Sequence, residues 1–145
     1  MPVNGAPRGY PLLCSRTTWG GIKPTVPLNA HVQGTAGEWM GRALVRVHQQ
    51  LREWRREGWD GFITLEVHDE LVLDFPAGED PSQGGGNYLR ACRIAELMEM
   101  GGKDIGVPTP CSMEWHPVSW DQGTDLTKLR QSRKQKGKRH ATATV

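Results

Sequence analysis

The residues best placed to do chemistry are His68, Asp69 and Glu70, which lie where two apolar runs meet. Phe62 to Val67 and Glu70 to Phe75 are rich in β-branched, leucine and aromatic side chains, so they read as a β-hairpin with His68 and Asp69 at its turn. Two-residue hairpin turns favour Asn-Gly or Asp-Gly because positive φ is needed there, and His-Asp ignores that preference. A turn that disregards local chemistry marks a candidate functional site. Carboxylates at such a tip suit a hard cation such as magnesium, because the strands fix their oxygens while the tip stays open to substrate phosphates. Taken alone, the tripeptide also fits plain solvated acids at a turn.

Asn29 and Gln33 form a second polar set, four residues apart and so on one face of a helix. Asn29 could equally be an N-cap, and Gln33 an exposed polar side chain. Met40, Ala43, Leu44, Val47, Leu51 and Trp54 then recur at three- and four-residue steps, with Arg42, Arg46, Gln49, Gln50, Arg52 and Arg56 between them. That pattern predicts a long amphipathic helix ending near Gly58. Its arginines are either a solvated face or contacts to a DNA backbone or partner.

After the hairpin, Pro76 to Gly86 reads as a flexible loop, and a second helix carries Tyr88, Ala91, Cys92, Ala95 and Met98 on one face until Gly101 and Gly102 stop it. Val107 to Glu114 reads as a further strand, followed by Trp115 and Trp120 in core packing. The expected fold class is α+β. An extended segment over 1–28 precedes a folded region over 29–126 and a basic, disordered tail over 127–145.

The composition sets outer limits. With 145 residues, 37% hydrophobic and 23% charged, the chain has enough for one ordinary core. No apolar run approaches the roughly 20 residues of a membrane helix, and prolines break up the first residues where a signal peptide would lie. A cytoplasmic protein is expected, in the host cytoplasm if viral. Cys14, Cys92 and Cys111 are odd in number and have no CxxC pair, which argues for reduced thiols. Residues 1–127 carry 11 basic and 16 acidic side chains, whereas Lys128, Arg130, Arg133, Lys134, Lys136, Lys138 and Arg139 follow with no acid among them. An acidic body with a basic tail points to nucleic acid, or to a merely solvated end.

The stretch N-A-H-V-Q-G-T-A-G-E from Asn29 to Glu38, followed by L-E-V-H-D-E-L-V-L-D-F from Leu65 to Phe75, resembles the C-terminal palm of family A DNA polymerases, the DNA polymerase I family. That family has an Asn-x-x-x-Gln-Gly-Thr-Ala helix and, after a similar spacing, a Val-His-Asp-Glu motif called motif C. V-P-T-P-C-S-M-E from Val107 and S-W-D-Q from Ser119 are similar to its last palm strand and terminal Asn-Trp segment. The resemblance covers roughly Gly9 to Gln122.

The resemblance implies that Asp69 is the catalytic carboxylate of motif C, that Glu70 supports the metal site, and that His68 lies near the primer end. It implies two magnesium ions, with primer-template DNA and deoxynucleoside triphosphates as partners. Asn29 and Gln33 would donate to minor-groove acceptors, sensing pair shape without reading sequence. The family's motif A aspartate and fingers helix have no counterpart over 1–26, and Thr25 stands where the family has an arginine. The expectation is a palm fragment, one chain of a split phage-like polymerase or a truncated product, inactive without a companion chain bearing fingers, thumb and motif A. A catalytically inactive palm-derived DNA-binding or scaffolding module is the alternative. A nuclease using His68, Asp69 and His116 ranks below both.

Overall fold

The computed structural model describes residues 25–132. Helix α1 (Thr25–Arg56) leads into a hairpin of β1 (Phe62–Val67) and β2 (Glu70–Asp74). A short 3-10 turn (Pro81–Gln83), helix α2 (Gly85–Ile105) and a second antiparallel pair, β3 (Glu114–Trp115) with β4 (Thr124–Asp125), complete the order. The fold is α+β. No helix among the described residues is long and apolar enough to cross a membrane.

The core sits where α1 and α2 pack, under the hairpin. Met40, Ala43, Val47 and Leu51 of α1 meet Ile94, Leu97 and Met98 of α2, with Ile63, Leu71, Leu73 and Phe75 laid over them. Burying each large aliphatic side chain contributes about 1.5–3 kcal/mol, so this one stripe holds both helices and the hairpin together. The helices run antiparallel: Trp39 lies against Gly101, Arg46 pairs with Asp104, and Arg90 lies 5.8 Å from the Trp54 ring centroid. Trp59 anchors the hairpin base, meeting Trp54 and Phe75 edge-on at 5.4 and 5.0 Å and donating its indole N–H to Asn87 Oδ1 at 2.9 Å.

Several expected boundaries move. The glycine pair does not stop α2, which runs on to Ile105 and ends where Gly106 turns left-handed at φ 71°. Gly101 is there for close approach: a methyl group on it would overlap the Trp39 indole. Residues 107–113 form no strand, and β3 comprises only Glu114 and Trp115. Trp115 is half-buried as expected, but Trp120 is 61% exposed and is not core. The loop before α2 is pinned by Asp80, which accepts from Ser82 N–H at 2.8 Å, and by buried Pro81.

The tail boundary at Thr127 also falls inside structure. Residues 127–132 are helical, Leu126 is buried, and Arg130 is only 5% exposed. Cys92 and Cys111 are free thiols, whereas Cys14, the segment over 1–24 and the tail over 133–145 lie outside the described residues.

Candidate functional site

The register of the hairpin fixes what its tip can do. Val67 pairs directly with Glu70, leaving His68 and Asp69 as the whole turn. His68 takes a φ of 57°, the only positive φ of a non-glycine residue among the described residues. Histidine tolerates that region better than β-branched residues, yet the conformation still costs about 1–3 kcal/mol. The turn chemistry that looked wrong in the sequence is therefore a backbone outlier in the structure.

His68, Asp69 and Glu70 are all exposed, and no side-chain hydrogen bond or ion pair engages them among the described residues. Asp69 and Glu70 thus present open carboxylates on a rigid two-strand support. They fit part of a hard-cation site, since oxygen donors of this kind suit magnesium. No group of three or more potential metal ligands is assembled among the described residues. His116 does not join them: it pairs with Glu114 at 3.4 Å beside Trp120, which removes the nuclease constellation.

A register shift at Thr64, between the Ile63 and Leu65 pairs, sends alternate residues of β1 to opposite faces on its two sides. Ile63, Leu71 and Leu73 face the core, whereas Phe62, Leu65, Val67, Glu70 and Val72 share the outer face. Phe62 and Leu65 are exposed there. The hairpin is apolar on both sides and covered on one.

Helix α1 carries the second predicted pair, Asn29 and Gln33. It begins at Thr25, so Asn29 lies a turn inside and is not its N-cap. At about 3.6 residues per turn, Asn29 and Gln33 stand five full turns before Val47 and Leu51, hence at the same angular positions. Val47 and Leu51 are buried, but Asn29 and Gln33 are exposed. The face that builds the core therefore continues past it as an open pair of amides. Neither amide bonds directly to the tip. Of the helix arginines, Arg42, Arg46 and Arg55 pair with Glu38, Asp104 and Asp60, leaving Arg52 and Arg56 on the exposed surface.

Two carboxylates outside the predicted set hold this frame. Glu79 accepts from Asn87 N–H at 2.9 Å and Gly86 N–H at 2.7 Å, capping α2, and those two bonds lower its pKa, with Asn87 the larger cause. Glu99 takes a two-pronged bond from Arg130, at 2.6 and 3.0 Å, which raises the arginine's pKa. The Cys111 thiol is pushed up by burial and by the charge of Glu99. Glu79 was legible as an acid close before a helix start, but the partner of Glu99 lies 31 residues away and carries no local signal.

No protein-family model matches the chain, and no solved structure matches it significantly. Among curated proteins, the chain is 35% identical over 99 residues to DNA polymerase I of Chloroflexus aurantiacus, 68% of this chain and 9% of that one. DNA polymerase I of Pseudomonas aeruginosa is 49% identical over 47 residues, 32% of this chain and 5% of its own. DNA polymerase I of Geobacillus stearothermophilus is 29% identical over 90 residues, 61% of this chain and 9% of its own. The chain thus spans less than a tenth of the length of these relatives. These relatives come from separate bacteria and carry one description: over the matched stretch, this chain belongs to the DNA polymerase I family, family A.

Proposed function

We propose that this chain carries the motif C half of a two-metal centre for template-directed DNA synthesis and works with a companion polypeptide. The exposed Asp69-Glu70 pair on its positive-φ turn, within a DNA polymerase I-like region, carries this reading. In the reaction, a primer 3′-hydroxyl oxygen forms a bond to the α-phosphorus of a deoxynucleoside triphosphate as the bond to the β-phosphate oxygen breaks. Pyrophosphate leaves, and the hydroxyl proton passes to solvent or a nearby base. Bound magnesium would stabilise the attacking and leaving oxygens.

Asp69 would hold the metal directly, Glu70 would support that site, and His68 would lie beside the primer end. Gln33 and Asn29 would donate to the minor-groove acceptors that every base pair presents, holding the primer terminus without reading its sequence. The companion would supply fingers, thumb and the motif A carboxylate. The uncovered outer face of the hairpin, with Phe62 and Leu65 exposed, supports the need for it.

Primer extension by the chain reconstituted with such a companion tests the reading. Asp69→Asn keeps the size and removes the charge, so incorporation should collapse while primer-template binding survives. Glu70→Gln should cost about 10- to 100-fold, the range typical of groups that orient a metal site without holding it. Near-normal incorporation by Asp69→Asn would instead favour a palm-derived scaffold without chemistry. The chain alone, assayed with magnesium, should extend no primer.

A further inference from the structure

Where the end of α1 meets the start of α2, an open cleft of about 290 Å³ lies between Trp54, Gly86, Leu89 and Arg90. That is close to the lower end of the roughly 300–1,000 Å³ typical of small-molecule sites. Arg90 is the one charged residue in its wall. The guanidinium carbon stands 5.8 Å from the Trp54 ring centroid and 5.1 Å from that of Trp59, so two indoles hold the planar group in place. No hydrogen bond or ion pair engages Arg90 among the described residues, whereas Arg93, one turn on, is spent on Gln50 at 3.3 Å and Glu96 at 3.6 Å. The Arg90 N–H edges are thus open in a group whose orientation is already fixed. Leu89 stands 64% exposed on the rim, and a methyl group on Gly86 would lie 3.0 Å from Arg90 Nη1, so the glycine keeps the floor clear.

We infer that this cleft binds a carboxylate carried on an apolar body, with the carboxylate on Arg90 and the body against Trp54 and Leu89. A guanidinium offers two parallel N–H groups to a planar carboxylate. The surrounding charges select against a phosphate. Glu79 lies near enough to Arg90 to feel its charge, and it already takes the Gly86 and Asn87 N–H groups that would otherwise serve a phosphate at the start of α2. A dianion would meet the repulsion of that carboxylate twice over with one cation to offset it, whereas a monoanion meets it once. None of the lining residues belongs to the hairpin tip, and Trp54 stands 21 residues along α1 from Gln33, about 30 Å at 1.5 Å per residue. Binding in this cleft is therefore independent of the polymerase reading.

Titration of the full chain with phenylpropionate, followed by NMR through the Trp54 and Trp59 indole N–H signals, tests this. Both signals should shift with a millimolar dissociation constant, in keeping with a ligand of so few heavy atoms. Phenylpropionamide, which lacks the charge, and phenyl phosphate, which doubles it, should bind at least about tenfold more weakly. Arg90→Gln should weaken phenylpropionate binding about 10- to 100-fold, the worth of a charged hydrogen bond, and Leu89→Ser severalfold, with circular dichroism checking that each variant keeps its helices. If Arg90→Gln loses its fold, the amide comparison and Leu89→Ser, at an exposed position, decide in its place. The capped dipeptide acetyl-Glu-Phe-amide separates two sources of such a group: tighter binding than the free acid assigns the cleft to an acidic side chain of a partner protein, and weaker binding assigns it to a free acid. Absence of shifts, equal binding of the amide or the phosphate, or an unchanged constant in a folded Arg90→Gln chain overturns the site.

Discussion

At the scale of single residues, the turn holding Asp69 is maintained against a backbone preference. His68 sits at φ 57°, where glycine rests freely and a β-branched residue is strained. His68→Gly is therefore expected to leave stability unchanged or raise it by up to about 1 kcal/mol in urea unfolding, and His68→Val to lower it by about 1–3 kcal/mol. A drop with glycine as large as that with valine would show that the turn does not need positive φ. Glu79 makes a pH prediction. Its folded pKa lies below its ordinary value of 4.5, so the stability it gives is present above pH 4.5 and is lost as pH falls through the lowered folded value. Thermal midpoints of the unaltered chain and Glu79→Gln should differ near neutral pH and converge in acid; a constant gap would contradict the cap. Arg130→Met, which removes the two-pronged charged bond to Glu99, should cost about 1.5–3 kcal/mol in the same unfolding measurement.

At the scale of elements, legibility followed the range of the interactions involved. Helix α1 and the hairpin were readable because their signals are periodic and local: Met40 to Trp54 mark one helical stripe, and Phe62 to Val67 and Glu70 to Asp74 alternate around a two-residue turn. The end of α2 was misread because glycine signals a stop locally, whereas Gly101 answers to an indole 62 residues earlier. The short β3–β4 pair and the helix over 127–132 were hidden because their determinants are contacts with Met113, Glu99 and Ala95, and basic composition dominates the local signal. Glycine substitutions should separate these cases. Gly41 in α1 has nothing within 4 Å of an added Cβ, so Gly41→Ala should stabilise by roughly 0.5–1 kcal/mol through helix propensity. Gly101→Ala should destabilise by about 1–3 kcal/mol through the clash with Trp39. Equal effects in chemical unfolding would refute the packing account of Gly101.

At the scale of the whole molecule, the core serves one side of the hairpin and leaves the other apolar. Phe62 and Leu65 expose 44% and 48% of their surface on that outer face, beside Val67 and Val72. A chain on its own should hide this stripe by self-association. Phe62→Ser with Leu65→Thr should shift sedimentation toward the monomer without loss of helical circular dichroism, and an unchanged distribution would show that the stripe is inert. The candidate site was legible as residue types because its groups are polar where the pattern calls for turns and helix starts. Its dependence on the body was not, since that rests on the angular alignment of Asn29 and Gln33 with Val47 and Leu51. Helix α1 consequently works as a phase-locked shaft. One alanine inserted between Gly37 and Glu38 alters no functional group and breaks no helix, yet turns the amides by about 100° relative to the core. A chain insensitive to such a frameshift in rotation would not be using those amides together with the tip, so tolerance of length in this one helix is a direct gauge of whether the two halves of the site act as one.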